Sequence, residues 1–562
     1  MEEHLKASKL LVVGWDGAEP SIVERMLAQG KLPNLARIKA DGAFGRVHTT
    51  TPDTSMAAWT SALTGLNPGR HGMVNFVRRP PGKYALRLVD ATDRLVPTVF
   101  SQAHMEGYSV ASFGVPGTWP AEQEVDICIS GFDSPLATEA PRRAFKPRSI
   151  YEQIQGMGLG WPYGSVDELS MDPHWHIRAH ARLMKNIDLK QEVIHRLSPP
   201  SAVDLLWVVF SESDTAGHHF WGFTDPRSPR HRTRNDLSNS IEDIYKRLDK
   251  ALGRLMDDMV PGASVLVLSD HGFMGASDQV VYINRWLASQ GFLVFKHPGM
   301  LQKLAPIVRD TAARMVPSAA KELILRTPLG SLALGLDAKS RFGAVELSRS
   351  MAFCDELPQN PGIWINVKER EPFGCISAGE EFLHTMDRIA EGLLKWRHVH
   401  TGKLVVSRVL RRTDAMAGPA SRLSPDLLCE LAHWDGYRLV AGSSEYNEWP
   451  LMRRLNEDEL IGPKGIGTSG AHAPEGICAA MGPGVKKGAK IEDAYLEDIA
   501  PSVLRLLGLE PTEDLDGRPI GQVAPMKGDK TTRNNSSGKI TGELTDMEQE
   551  AINRKLEGLG YM

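Results

Sequence analysis

Three apolar runs in this chain each lead within a few residues to an aspartate: KLLVVGW at 9–15 to Asp16, VDLLWVVF at 203–210 to Asp214, and SVLVLS at 264–269 to Asp270. Short runs that are apolar at consecutive positions and bounded by polar residues read as strands buried on both faces of a parallel sheet. Open parallel sheets bind ligands outside the carboxyl ends of their strands. Carboxylates delivered there by three strands can meet at one mouth despite their separation along the chain.

The residues around these aspartates add to the pattern. Asp270 is followed at once by His271 and Gly272. Two adjacent ligand-type side chains at a strand mouth are hard to explain as packing, because a buried carboxylate and imidazole need partners. Asp214 and His218 are spaced i, i+4, so a helix would put both on one side, able to chelate one ion. His472 lies in GTSGAHAPEG, which reads as a loop feeding the strand ICAAMG. Taken singly, Asp16 also reads as an N-cap for the helix near Pro20, and His472 as an exposed loop residue.

The stretch Thr50–Gly72 supplies a nucleophile candidate. Pro52-Asp53 break the chain, and Ser55 then opens a compact helix of small residues closed by Gly65 and Pro68. A hydroxyl in the first turn of a helix lies at the positive end of its dipole, where an anion is favoured. Ser and Thr are ordinary N-caps, so Ser55 gains weight only from the ligand-type residues elsewhere. Mixed Asp/His ligation without Cys suits Zn²⁺, and Mn²⁺ as well. Two such ions would clamp the attacking and leaving oxygens of an in-line displacement at phosphorus. One would lower the pKa of the Ser55 hydroxyl, and the other would polarise the leaving group.

Bulk properties exclude other classes. At 562 residues the chain is long enough for two or more domains, or one with insertions. A net charge of −4 gives no reason to expect nucleic acid or an acidic membrane as partner. Five scattered cysteines without a C-x-x-C pair read as free thiols of a reducing, cytoplasmic compartment. The N-terminal apolar run is a first strand rather than a signal peptide, and no run reaches membrane-spanning length. The expected organisation is an α/β core over 1–275 and 421–525, interrupted by a cap region at 276–420. Helices are expected over Thr233–Met259, at 302–326 (basic and amphipathic) and at 496–509, and the core sheet is expected to resume with PDLLCELA at 425–432. Residues 526–541 read as a disordered linker. The segment 542–562 reads as a helix with a capping box at Thr545 and Glu548, its stripe of Met547, Ile552, Leu556 and Leu559 docking on the body or on a second subunit, as in a homo-oligomer.

Seven motifs in order, VVGWDG, SMAAWTSALTGLNPGRHG, DTAGH, LSDHGF, INRWLASQGFLVF, GIWINVKEREPFG and DIAPSVLRLLGL, together with the terminal LGYM, carry a resemblance. Over nearly all of residues 9–525 the chain resembles the alkaline phosphatase superfamily, and within it the type I phosphodiesterase/nucleotide pyrophosphatase family with its phosphohydrolase and phosphomutase relatives. The resemblance implies an alkaline-phosphatase-like three-layer α/β/α fold with a mostly parallel central sheet and an inserted cap. It implies one metal held by Asp16, Ser55, Asp270 and His271, and another by Asp214, His218 and His472. Ser55 aligns with the family nucleophile, and Thr54 beside it is the alternative if the register slips by one. The implied substrate is a small phosphoester, a diester ahead of a monoester. Ser55 would attack phosphorus and expel the leaving alcohol, and hydroxide would then cleave the phosphoseryl intermediate. Nucleotide pyrophosphatases carry a phosphoryl-binding Asn where this chain has Phe76, and Asn75 lies one residue earlier. Phosphonate hydrolysis and phosphomutase chemistry also fit these residues. A sulfatase does not, since Ser55 is followed by Met-Ala-Ala-Trp rather than a Ser/Cys-x-Pro-x-Arg motif. An inactive metal-binding scaffold would be marked by a missing ligand, and all seven positions are filled.

Overall fold

The computed structural model describes residues 9–131, 142–162, 174–296, 342–444, 450–461 and 466–524. Leu10–Trp15 lies between Leu205–Phe210 and Ser264–Leu268 and runs parallel to both. Trp15 pairs with Phe210 and Gly14 with Leu268, so the three strands end nearly level. That register brings Asp16, Asp214 and Asp270 out at one edge. The sheet continues past Leu205–Phe210 through Val110–Phe113, Ile127–Ile129 and Phe145–Lys146. Past Ser264–Leu268 come Glu475–Met481, Ala43–His48 and Ala489–Tyr495. Glu475–Met481 and Phe145–Lys146 run against their neighbours, and the remaining pairs are parallel.

Successive side chains of a strand point to opposite faces, and the first strand shows what this does. Leu10 and Val12 enter one core with the helices Ser55–Thr64, Val99–Met105 and Ile499–Leu506. Leu11, Val13 and Trp15 enter the other, with Pro20–Ala28, Pro33–Asp41, Trp175–Leu197, Glu212–Thr224 and Ser240–Asp257. The result is three layers. Each fully buried Val, Leu or Ile contributes about 1.5–3 kcal/mol, so the strand ends are firmly seated where the site forms.

Gly272–Val281 carries the chain out of this sheet. Its first residues pair with Gly470–Ala473, and its later ones with Tyr437–Ala441 and Met452–Arg454. His472 is therefore on a short strand rather than in the loop expected from its glycines. Beyond lies an antiparallel sheet of Ala352–Cys354, Gly362–Ile365, Leu427–Leu431 and Val406–Arg411, flanked by the helix Glu380–Lys395. Leu427–Leu431 was expected to return to the central sheet and does not. A short apolar run does not say which sheet it joins, and here Leu427, Cys429 and Leu431 pack with Trp286, Phe353 and Trp364.

The helix expected from Thr233 begins at Ser240. Residues 235–239 form turns instead, with Ser238 Oγ donating to Asn235 O at 3.1 Å and Ser240 N to Leu237 O at 3.1 Å. Short polar side chains compete for the backbone in this way. The helix expected at 496–509 runs from Leu496 to Leu506, its first turn 3₁₀, and ends three residues early. The five cysteines form no disulfide, and four of them are buried. Among the described residues no helix is long and apolar enough to cross a membrane. The helices expected at 302–326 and 542–562 and the linker 526–541 lie outside the described residues.

Candidate metal centre and active site

Asp16 leaves the end of its strand with its N–H donating to Phe210 O at 3.0 Å. Gly17 then turns at φ +64°, where a Cβ would meet the Phe273 ring at 2.4 Å. A left-handed turn this close to a ring admits only glycine. The Gly17 N–H donates to Asp270 Oδ1 at 3.0 Å, tying two strand mouths together. His271 follows Asp270, and its Nε2 lies 3.3 Å from Asp270 Oδ2, 3.9 Å from Asp16 Oδ1 and 4.0 Å from Asp214 Oδ1.

Asp214 and His218 sit one turn apart on the helix Glu212–Thr224, with His218 Nε2 3.4 Å from Asp214 Oδ1. His472 Nε2 lies 3.1 Å from His218 Nε2 and 3.5 Å from Asp214 Oδ1. The His472 ring stacks on His271 with centroids 3.6 Å apart. Two groups result, Asp16/Asp270/His271 and Asp214/His218/His472, each with its ligand-type atoms within 4.8 Å of one another.

The three histidines are oriented alike. Nδ1 of His218 lies 3.1 Å from Gly470 O, that of His271 3.0 Å from Gly272 O, and that of His472 2.6 Å from Asp53 O. A carbonyl only accepts, so each Nδ1 carries the proton and each Nε2 turns its lone pair into the cluster. Asp16 Oδ1, Asp214 Oδ1 and Asp270 Oδ2 are buried there and accept no hydrogen bond. Buried carboxylate oxygens and facing lone pairs repel one another unless a cation lies among them. The donor set fits divalent cations, one per group.

Electrostatics agree with this reading. Burial, and then the neighbouring Asp270 and Asp214 carboxylates, raise the Asp16 carboxyl well above its usual range. Burial pushes Asp270 up to about 7. Burial, and then His472, push His271 down to about 3. A bound cation would reverse the penalty on the carboxylates by favouring their charged form.

Ser55 is the first residue of the helix Ser55–Thr64, which Gly65 closes at φ +71°. Its hydroxyl is buried, with Oγ 3.3 Å from His271 Nε2. Thr54 takes the capping role instead. Its Oγ1 accepts from Ala57 N at 3.4 Å and donates to Val74 O at 2.9 Å. Of the two neighbouring hydroxyls, Ser55 faces the cluster and Thr54 is occupied by the backbone.

Several residues around the site escaped the sequence reading. The Trp59 indole N–H donates to Asp16 Oδ2 at 3.0 Å. Its signal was legible, one helical turn past Ser55 on the same face. Asp53, read as half of a breaker pair, offers its carbonyl to His472 and its carboxylate to Arg438 Nη1 at 2.6 Å. Burial alone would raise the Asp53 carboxyl, but the Arg438 charge outweighs it and holds it below the usual carboxylate range. Gln359 Oε1 accepts from His472 N at 2.9 Å. Arg230, fully buried, donates to the carbonyls of Ser277 and Thr468 and so fastens the approach to His472. No local pattern announces Arg438, Gln359 or Arg230. Asn75 lines a small cavity with Pro52, Asn360 and Trp364, and its Oδ1 accepts from Phe76 N at 2.8 Å.

The fold is similar to that of phosphonoacetate hydrolase from Sinorhizobium meliloti 1021, solved with phosphonoformate, at a TM-score of 0.50 and 15% identity over 88% of this chain and 94% of that one. Human ectonucleotide pyrophosphatase/phosphodiesterase 5 is also similar, at a TM-score of 0.45 and 12% identity over 92% of this chain and 99% of that one. No curated protein matches the sequence. The model of one family, type I phosphodiesterase/nucleotide pyrophosphatase, matches residues 10–430. With this match over most of its length and its alkaline-phosphatase-like α/β architecture, the chain belongs to that family and is a metal-dependent phosphoester hydrolase.

Proposed function

We propose that the chain is a phosphodiesterase acting through a phosphoseryl intermediate on Ser55, with one divalent cation held by Asp16, Ser55, Asp270 and His271 and a second by Asp214, His218 and His472. The observation that carries this reading is the buried Ser55 Oγ, 3.3 Å from His271 Nε2 at the edge of a cluster of unsatisfied carboxylate oxygens. Oxygen and imidazole donors without sulfur suit Zn²⁺ or Mn²⁺. Bound there, the cations supply Lewis acidity at the phosphoryl oxygens and at the serine hydroxyl.

The chain's own groups do the rest. Ser55 Oγ bonds to phosphorus as the P–O bond to one ester oxygen breaks, and the serine proton leaves with that oxygen as the first alcohol. Water then attacks phosphorus, breaks the bond to Ser55 Oγ, releases the phosphomonoester and restores the hydroxyl. The helix N-terminus at Ser55 favours negative charge on the transferred group. His218, His271 and His472, each with its Nδ1 proton held by a carbonyl, keep Nε2 available without changing tautomer. Asn75, its Oδ1 engaged by Phe76, would offer Nδ2–H to a phosphoryl oxygen. Five cysteines without a disulfide among them support a reducing compartment, the cytoplasm.

The test is turnover of p-nitrophenyl phosphate, bis-p-nitrophenyl phosphate, p-nitrophenyl phenylphosphonate and p-nitrophenyl sulfate by metal-stripped protein given back Zn²⁺, Mn²⁺ or Mg²⁺. The expected result is metal-dependent cleavage with the diester preferred. Preference for the monoester or the phosphonate would overturn the diester assignment, and preference for the sulfate would overturn the phosphorus chemistry.

A further inference from the structure

We propose that Arg438 is a positioning residue for the cation site made by Asp214, His218 and His472, acting through Asp53 and His472. The inference rests on the reading of those three residues as one metal site. It concerns what holds that site in shape.

Arg438 lies on the strand Tyr437–Ala441, and 6% of its side chain is exposed. Nη1 donates to Asp53 Oδ2 at 2.6 Å and to His472 O at 3.0 Å. Nη2 donates to Gln359 O at 3.0 Å and to Asn360 Oδ1 at 3.2 Å. Asn360 Nδ2 in turn donates to Asp53 Oδ1. One guanidinium thus joins the approach to the Ser55 helix, the strand carrying His472, and the loop at residues 359–360.

His472 is consequently fixed at three atoms. Its N–H is taken by Gln359 Oε1 at 2.9 Å, its carbonyl by Arg438 Nη1, and its Nδ1–H by Asp53 O at 2.6 Å. The last contact sets the tautomer and the direction of Nε2. Asp53 stands two residues before Ser55, so the same ion pair sets the spacing between the nucleophile and His472. A buried ion pair adds little net stability over an apolar replacement. Its consequence here is geometric. The planar fork of arginine reaches four acceptors at once, which the single ammonium of lysine does not reproduce.

The test is calorimetric titration of metal-stripped protein with Zn²⁺ alone, with a thermal melt of each variant alongside. Wild type is expected to take two ions, and His472→Ala to identify which of them belongs to this site. Arg438→Met and Asp53→Asn are expected to weaken that ion roughly 10- to 100-fold and to leave the other unchanged, with Arg438→Lys falling between. Should Arg438→Met fail to fold, Asn360→Ala removes one arm of the network and is expected to give a smaller loss confined to the same ion. Unchanged affinity at both sites, or equal losses at both, would overturn the proposal. Fewer than two ions on the wild type would overturn the metal-site reading beneath it.

Discussion

The indole N–H of Trp59 donates to Asp16 Oδ2 at 3.0 Å, one helical turn beyond the Ser55 hydroxyl. The helix that presents the candidate nucleophile therefore also holds a candidate metal ligand, and leaves Asp16 Oδ1 facing the cluster. Trp59→Phe keeps most of the buried volume and removes the donor. The expected result is metal affinity at the Asp16 group lowered roughly tenfold, with the Asp214 group unaffected, measured by competition with a chelating dye.

Thr54 and Ser55 are expected to separate stability from chemistry. Thr54→Ala removes the helix cap, at about 1 kcal/mol, and leaves the turnover mechanism in place. Ser55→Ala should abolish turnover while both metals largely remain. Thermal melts and single-turnover assays on the two variants distinguish these outcomes. A Ser55→Ala enzyme with wild-type rates would move the nucleophile to Thr54.

His472→Ala should reduce metal stoichiometry from two to one and remove most activity. Elemental analysis of the purified variant checks the first expectation, and the diester assay the second. Retention of both ions would take His472 out of the ligand set.

Much of this arrangement was legible in the sequence because it is local. The strands before Asp16, Asp214 and Asp270 show themselves as apolar runs, and the i, i+4 spacing of Asp214 and His218 becomes one face of a real helix. What was not legible depends on distant partners. Arg438 meets Asp53 across 385 positions, and nothing in either neighbourhood encodes the other. Leu427–Leu431 has the composition of a core strand, but its sheet is decided by the tryptophans and phenylalanine it packs against. The late start at Ser240 is the opposite case, since Asn235, Asp236 and Ser238 are turn formers that the helical reading passed over.

Asp93 gives a pH prediction away from the metals. It accepts from Arg87 Nη1 at 2.7 Å and also from Arg78, joining both strands of the hairpin Val77–Leu88. Burial would raise its carboxyl, but the two guanidinium groups outweigh it and hold it below the usual range. A folded-state pKa below the unfolded one contributes stability above the unfolded value, near pH 4, and loses it as pH falls through the folded one. Asp93→Asn should therefore cost roughly 2 kcal/mol at pH 7. Melts of wild type and variant should converge as pH falls below about 4, and a constant gap would contradict the assignment.

The most direct test of the central claim is to trap the intermediate. Metal-loaded enzyme turning over bis-p-nitrophenyl phosphate is quenched in acid, digested and read by mass spectrometry. One p-nitrophenylphosphoryl group, with the second aryl ester still attached, is expected on the peptide containing Ser55, localised to that residue and absent from Ser55→Ala. Steady turnover with an unmodified Ser55 peptide, or the same adduct on Thr54 instead, would contradict the assignment.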